Sequence, residues 1–259
     1  VAVVDSKVIV LGGHSSEKPL REREEFEPGP DIDSPGRWSS LPPMLARRTY
    51  CTANTIDGVV YVVGGSADGR ALNTFEMFHT VTDEHFKWFE KPPMHIKRTM
   101  QASVVCRGRL VVAGGFDGIR DLTRVEEFDV KANMWKWASS MAHGRSFFAM
   151  AAVGDDAYAI GGQDRASTDG PRAMTSVERL DATCERWFPA APMLQGRVGC
   201  AAATLLCADG LEYIFVCGGS DGQVATASME RYDPREDTWT EAPPMSQQRL
   251  GHAVAVVNN

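Results

Sequence analysis

The sequence predicts an all-β protein built from five similar units, each a small sheet of four short antiparallel strands. Three observations lead to this prediction. A Trp, a Met and an Arg recur five times with the spacing W-x5-M-x3-R. An apolar run that ends in a glycine pair recurs equally often, and strand-like segments lie between these marks. A repeat of roughly fifty residues with four short strands is typical of a β-propeller, in which each repeat supplies one blade.

The three marks keep their spacing without any insertion. They are Trp38, Met44 and Arg48; Trp88, Met94 and Arg98; Trp135, Met141 and Arg145; Trp187, Met193 and Arg197; and Trp239, Met245 and Arg249. We call the five arginines the module arginines. They divide a single domain, 1–259, into repeats that we place at approximately 1–47, 48–97, 98–144, 145–196 and 197–248.

Four strands are expected in a fixed order in each repeat. The first begins at the module arginine, as in "RTYCTANTI", and turns at "DG" or "RG" into the second. The second strand is apolar at consecutive positions, which indicates burial on both faces. The third reads "VEEFD", "VERLD" or "MERYD", and the fourth carries the Trp and ends at the Met.

The glycine pairs end at Gly13, Gly65, Gly115, Gly162 and Gly219. A glycine inside a strand costs roughly 0.5–1 kcal/mol relative to alanine, so ten of them need a reason. The usual reason is close approach of other atoms to the backbone. We expect the recurring Trp, from the same or the adjacent blade, to fill that space.

The two ends of the chain occupy the same phase of the repeat, since "VAVVDS" at the start matches "VAVVNN" at the end. Residues 249–259 are therefore either a closing strand or the first strand of a further blade. In the first case Ala253–Val257 closes a five-bladed ring. In the second case the chain holds five repeats of a six-bladed ring.

Composition predicts a folded chain without a membrane-spanning segment. Of the 259 residues, 43% are hydrophobic and 24% are charged, and no apolar run approaches the length of a membrane helix. A formal net charge of −7 argues against a nucleic-acid partner. The six cysteines have no regular spacing, so we expect reduced thiols and a location in the cytoplasm, with the nucleus as the alternative.

Catalytic motifs are missing from the sequence. It contains no nucleophile elbow, HExxH, phosphate-binding loop or dinucleotide-binding glycine motif. His79 and His85 share one loop, but two histidines without a third ligand are a weak metal signal. Cys184 beside Arg186 could be a sensor thiol, and an ordinary loop cysteine is the alternative that we favour. The prediction is a non-catalytic protein without a metal or cofactor.

The repeating residues resemble the kelch repeat. The glycine pair is followed by an aromatic residue or Leu before Asp (Phe128-Asp129, Leu180-Asp181, Tyr232-Asp233), then by Trp, Met and Arg. The resemblance implies a kelch-type propeller, most often six-bladed, that binds a protein through its fourth-to-first and second-to-third loops. It also implies the substrate receptor of a cullin-RING ubiquitin ligase, reached through a BTB or F-box region outside this chain. The alternatives are an actin scaffold and a kelch-like metalloenzyme such as an oxidase or a lyase.

The charges favour the same loops. The five segments from each module Met to the residue after its Arg carry seven basic residues and no acidic one, whereas the third-to-fourth connections are net acidic. We call the face that carries the fourth-to-first and second-to-third loops the loop face. Its cations predict an acidic peptide or protein partner. The alternative is that the module arginines bind backbone carbonyls and serve the structure only.

This sequence resembles a kelch-family receptor for an antioxidant transcription factor, and the resemblance implies specific contact residues. Two positions of each repeat are implied: the residue after the glycine pair and the residue after the module arginine. The first set is His14, Ser66, Phe116, Gln163 and Ser220, and the second is Thr49, Thr99, Ser146, Val198 and Leu250. The neighbouring loops add the cations Arg47, Arg70, Lys97, Arg120, Arg165 and Arg172.

Overall fold

The computed structural model describes residues 1–31, 34–79, 87–166 and 172–257. The described residues form five four-stranded antiparallel sheets and no helix, which confirms the predicted fold class. In every sheet the strands pair in chain order, so that each sheet is a meander. Among the described residues, no helix of the length and apolarity that crossing a membrane requires is present.

Each blade contributes four strands, numbered along the chain. Blade 1 has β1 (Ala2–Val4), β2 (Lys7–Leu11), β3 (Arg23–Glu27) and β4 (Arg37–Leu41). Blade 2 has β5 (Thr52–Ile56), β6 (Val59–Val63), β9 (Phe75–His79) and β10 (Trp88–Lys91), with a short ribbon of β7 (Ser66–Ala67) and β8 (Arg70–Ala71). Blade 3 has β11 (Ala102–Cys106), β12 (Arg109–Ala113), β13 (Val125–Asp129) and β14 (Met134–Ala138).

The last two blades repeat this plan. Blade 4 has β15 (Ala149–Val153), β16 (Asp156–Ile160), β17 (Val177–Leu180) and β18 (Trp187–Ala190). Blade 5 has β19 (Ala201–Leu206), β20 (Glu212–Cys217), β21 (Met229–Asp233) and β22 (Thr238–Ala242).

Blade 3 shows how the sequence produces a sheet. Arg107 and Gly108 have φ values of 51° and 67°, the left-handed geometry of a tight hairpin between β11 and β12. The second strand, β12, is fully buried from Leu110 to Ala113, as its continuous apolar run predicts. The fourth strand lies at the outer edge, where Trp135 is buried and its neighbours Met134 and Lys136 are exposed.

The blades are arranged around a central channel. The first strands contact one another in succession, β1 with β5, β5 with β11, β11 with β15 and β15 with β19. Small side chains from all five strands line a cavity of about 440 Å³ along this axis. Within the described residues, no contact of comparable extent joins β19 to β1.

The hydrophobic core lies between neighbouring blades. Phe75 of blade 2 packs edge-on against Phe128 and Trp135 of blade 3, with ring centroids 4.7 and 5.1 Å apart. Each packed Trp also donates its indole N–H to a carbonyl of the preceding blade. These pairs are Trp88 to Pro42 (3.1 Å), and Trp135 to Pro92, Trp187 to Ser139 and Trp239 to Ala191 (each 2.8 Å). The tryptophans therefore join blades.

The expectation that Trp fills the space beside the glycine pairs is wrong. A Cβ on Gly114 would lie 2.5 Å from the carbonyl oxygen of Arg145, and one on Gly115 would lie 2.7 Å from that of Thr99. No Trp atom is among the nearest neighbours of the described glycine pairs. Other atoms do approach the glycines closely, but they are backbone atoms. Both glycines have positive φ, and the resulting turn places the chain against the segments that lead into the first strands of two blades.

The C-terminal segment does not close the first blade. Because β1 pairs with β2, it already occupies the inner position of that blade. Residues 251–257 form no strand, and Val254 and Val256 line the central cavity beside Val1 and Val3. The alternative in which Ala253–Val257 completes a five-bladed ring is therefore not the arrangement found.

Candidate functional site

The two rows of predicted contact residues are neighbours on the loop face. In blades 2 to 5, the residue after the module arginine exchanges two backbone hydrogen bonds with the residue after the glycine pair. The pairs are Thr49 with Ser66, Thr99 with Phe116, Ser146 with Gln163 and Val198 with Ser220, at 2.7 to 3.0 Å. The turn of each glycine pair brings the second-to-third loop against the start of the first strand.

Burial separates these residues into two groups. Four of them are buried, with 8% of Thr49, 6% of Thr99, none of Ser146 and 6% of Ser220 exposed. These side chains offer little for a partner to contact. Ser66, Phe116 and Gln163 are half-buried and His14 is exposed, so the row that follows the glycine pairs is the more accessible one.

Apart from Arg249, the cations exposed on the loop face are not module arginines. Arg70, Lys97 and Arg120 are exposed, and the nearest carboxylate to Arg120 is that of Asp117, 3.9 Å away. Arg47 is half-buried and donates to the carbonyl of Pro19 at 3.2 Å. Arg70, Lys97 and Arg120 are therefore available to a partner.

Arg165 belongs to a small network between blades 3 and 4. Its guanidinium donates to the buried carboxylate of Asp121 at 2.6 Å and to the hydroxyl of Ser146 at 3.0 Å. It also lies over the ring of Phe116, 4.6 Å from the centroid, and 3.8 Å from the sulfur of Met100. This network holds two second-to-third loops together and fixes a cation beside the channel.

Four of the five module arginines are not part of a cationic rim, and for these four the charge argument is wrong, whereas Arg249 is exposed. Arg48, Arg98, Arg145 and Arg197 are fully buried, and each donates to the carbonyl of the first glycine of a pair at 2.8 Å. Each also pairs with a buried glutamate, namely Glu76, Glu126, Glu178 and Glu230. Their charge is neutralised inside the protein, as the structural alternative for these arginines predicts.

The four glutamates are structural residues that sequence reasoning missed. Besides binding the arginine, each accepts hydrogen bonds from two backbone N–H groups after the module Met. Glu126, for example, accepts from His95 at 2.7 Å and from Ile96 at 3.3 Å. Their signal was visible, because Glu recurs as the second residue of the third strand in blades 2 to 5.

A ring of residues around the channel entrance was also missed. The second residue after each module arginine adopts a left-handed backbone: Tyr50, Met100, Phe147, Gly199 and Gly251, with φ between 53° and 67°. We call these five residues the collar. Backbone hydrogen bonds link the last four members in succession, from Phe147 N–H to Met100 O, from Gly199 N–H to Phe147 O and from Gly251 N–H to Gly199 O, at 2.6 to 2.9 Å.

The collar surrounds an open cavity of about 130 Å³ at the channel entrance. The rings of Tyr50 and Phe147 lie 5.1 Å apart, and Tyr50 is 47% exposed. Two thiols lie in the cavity wall, and burial raises the pKa of Cys200 to about 12 and that of Cys51 above its ordinary value. Both are protonated at neutral pH, so the arrangement suits binding better than nucleophilic chemistry.

The weaker sequence signals gain no support. Burial raises the pKa of Cys184 to about 11, although Arg107 lies 3.7 Å from its sulfur, which fits an ordinary cysteine better than a sensor thiol. Among the described residues, no group of three or more His, Cys, Asp or Glu side chains could hold a metal ion. His79 is half-buried at the end of β9, and His85 lies outside the described residues.

Comparison with known proteins identifies the fold family. Residues 50–259 match the family described as the KLHDC2/KLHL20/DRC7 Kelch-repeats domain. The chain belongs to the kelch-repeat family. Kelch-like protein 35 of Mus musculus is 31% identical over 80% of this chain, and Kelch-like protein 23 of Homo sapiens is 28% identical over 78%. These matches cover 33% and 34% of the two relatives, so the chain spans about a third of their length.

A solved structure supports the kelch fold independently. The structure described as "Structure of YjhT" superposes with a TM-score of 0.72 over 94% of this chain and 85% of its own, at 15% identity. At this identity the likeness concerns the fold alone.

Proposed function

We propose that this kelch domain is a non-catalytic protein-binding module that holds its partner on the loop face. The main support is that the loop face combines exposed cations with an open cavity at its centre, while four of the five module arginines are buried and neutralised. Arg70, Lys97 and Arg120 are exposed there, and Tyr50 stands beside the cavity. Exposed aromatic and arginine side chains around a concave centre are the usual anchors of protein interfaces.

The partner in this proposal is an extended segment of an acidic protein. Charge-assisted hydrogen bonds from the exposed loop cations are strong only when the partner supplies carboxylates and the contact excludes water. Four of the seven cations in the module segments are buried, so the electrostatic attraction comes from the exposed members Lys97 and Arg249 and from Arg70 and Arg120 in the second-to-third loops. We therefore expect a partner with a few acidic residues rather than a long acidic tract.

We further propose that the complete protein delivers this partner to a cullin-RING ubiquitin ligase. The support is similarity to Kelch-like proteins about three times as long as the matched region. The six cysteines of the described residues are all free thiols, which supports a reducing compartment, the cytoplasm or the nucleus.

The test is an affinity capture from cells with three forms of the protein. One is the natural sequence, one carries Arg70→Ala, Lys97→Ala and Arg120→Ala together, and one carries Glu236→Ala. Glu236 is an exposed acid on the opposite face. Asp237, the other candidate control, is unsuitable because it accepts hydrogen bonds from Tyr232 and from the Ala191 backbone at 2.7 and 2.8 Å.

The proposal expects one set of proteins to be captured by the natural sequence and by Glu236→Ala, and lost with the triple variant. Calorimetry should show roughly tenfold weaker binding for Arg120→Ala alone. Equal capture by all three forms would place the binding surface elsewhere. If the ligase role holds, ubiquitin on the captured protein should increase when the complete protein is co-expressed, but not when the triple variant is.

A further inference from the structure

We propose that the cavity inside the collar receives one aromatic side chain of the partner, a tyrosine presented on an extended segment with carboxylates beside it. This inference rests on the proposed function and names the residue type that the loop face selects. It differs from the charge argument because the central contact is apolar.

The first observation is the size and lining of the cavity. It measures about 130 Å³, close to the roughly 150 Å³ apolar cavity that accommodates a benzene ring. Tyr50, Met100, Phe147 and Phe148 supply four apolar side chains to its wall. Tyr50 and Phe147 are already in a tilted pair, 5.1 Å and 59° apart, the kind of surface against which a third ring packs.

The second observation is a buried acceptor without a donor. Gln101 lines the cavity with only 5% of its surface exposed. Its amide N–H donates to the carbonyl of Val63 at 2.9 Å, which fixes the orientation of the side chain. The amide oxygen has no hydrogen-bond partner among the described residues. A tyrosine side chain fits both features, because its ring fills the apolar space and its phenol hydroxyl is the missing donor.

The third observation is the backbone of the collar. Tyr50, Met100 and Phe147 keep large side chains although their φ values, 53° to 55°, lie in the region that glycine tolerates best. Non-glycine residues held in this region are concentrated at ligand-binding sites, where the surrounding structure maintains the strain. The remaining two collar positions are glycines, and the ring of Phe147 packs against Gly199, where a Cβ would lie 2.8 Å from the ring.

The fourth observation concerns charge. None of the residues that line the cavity is acidic. Arg165 lies beside the collar, 3.8 Å from the sulfur of Met100, with about a third of its side chain exposed. Its Nη1 already donates to Asp121 and Ser146, so a carboxylate that flanks the inserted tyrosine would be bound by the exposed part of this guanidinium. The complementarity therefore favours an acidic flank over a basic one.

The test uses p-cresol, the tyrosine side chain alone, as the probe. We expect it to shift the NMR signals of Tyr50 and Phe147 with a dissociation constant on the order of 1 mM, as befits so small a ligand. Phe147→Gly removes one wall and suits the left-handed backbone, so the variant should fold and bind at least tenfold more weakly. Phe188→Ala, an exposed ring on the outer strand β18, should bind like the natural sequence.

Toluene separates the ring from the hydroxyl. It should bind several-fold more weakly than p-cresol to the natural sequence, and Gln101→Leu should abolish the difference between the two probes. The proposal is overturned if p-cresol does not shift the collar signals at roughly 10 mM, or if Phe147→Gly binds it unchanged.

The partner obtained by affinity capture distinguishes this proposal from the proposed function. If Phe147→Gly and the triple loop variant both weaken partner binding, both proposals hold. If only the triple variant does so, the loop face binds the partner and the tyrosine pocket is refuted. If p-cresol binds inside the collar but no protein depends on the loop face, the pocket stands as a site for phenols and the protein-binding function fails.

Discussion

Arg98 of blade 3 donates to Glu126 at 2.7 Å, and both side chains are completely buried. Burial lowers the pKa of Arg98, and the glutamate opposes that effect. The arginine also binds the carbonyl oxygens of Gly114 and Arg124, so one guanidinium connects the entry of the first strand to the second and third strands. The same arrangement recurs in blades 2, 4 and 5.

Breaking this pair should destabilise the protein by about 3–5 kcal/mol, because the remaining partner is left as an uncompensated buried charge. We expect such a loss for Arg98→Met and for Glu126→Met in urea unfolding. The double variant should lose about 2 kcal/mol less than the sum of the two. Lys136→Met, which breaks the exposed pair with Asp129, is the control and should have no measurable effect. Strict additivity would contradict the coupling.

Gly115→Val should destabilise the protein by about 3 kcal/mol through collision and backbone strain. Gly115 has φ of 89°, and a Cβ there would lie 2.7 Å from the carbonyl oxygen of Thr99 and 2.8 Å from the Cβ of Gln101. Gly118→Ala is the control, since φ is also positive there but the space is open, and about 1 kcal/mol is expected. Equal melting temperatures for the two variants would contradict the close-approach explanation.

Arg23→Met should raise the free energy of unfolding by about 1 kcal/mol. Arg23 is 1% exposed, and none of its guanidinium nitrogens has a hydrogen-bond partner among the described residues. Replacing a buried, uncompensated charge by an apolar side chain is often stabilising. The opposing loss is the contact with the ring of Phe78, 3.5 Å from the guanidinium carbon. A lower stability in urea unfolding would show that this cation–π contact outweighs desolvation.

His252 should make the protein less stable in mild acid. Burial first, and then Arg249, lower the pKa of this imidazole below its ordinary 6.5. The unfolded chain therefore binds the proton more readily, so stability falls as the pH decreases from about 6.5 toward the lowered pKa. The melting temperature of the natural sequence should drop more between about pH 7.5 and pH 5.5 than that of His252→Gln.

Partial exposure of the imidazole keeps this effect small. His14→Gln, which removes an exposed histidine of the loop face, is the control and should follow the natural sequence. A parallel loss of stability in the natural sequence and His252→Gln would contradict the assignment to His252.

The repeat pattern was sufficient to predict the fold, because the four strands of every blade must bury the same apolar positions. It also indicated that the glycine pairs face close neighbours. The identity of those neighbours depends on how adjacent sheets are placed, and the spacing of Trp and Gly along one chain carries no information about that. Gly114 therefore contacts the backbone of Arg145 in the next blade, where a tryptophan was expected.

The candidate site was harder to predict for a different physical reason. The exposure of the loop cations Arg70 and Arg120 could be predicted from their place in the repeat, since the tips of second-to-third loops are exposed. The collar depends on the sign of φ, and Tyr50, Met100 and Phe147 are not residue types that indicate a left-handed backbone. Only the two glycines at the equivalent positions give a hint, which becomes visible when all five repeats are aligned on the module arginine.

The pairing of each buried module arginine with a glutamate of its own repeat has an evolutionary consequence. Arg48 pairs with Glu76, and Arg98 pairs with Glu126 in the same geometry. If a gene rearrangement removed residues 49–98, Arg48 would pair with Glu126 and every remaining buried module arginine would keep a partner. Losing part of a repeat could instead leave a buried charge without its partner. Tandem duplication and loss can therefore be tolerated in units of whole repeats, which restricts how blade number can change over time.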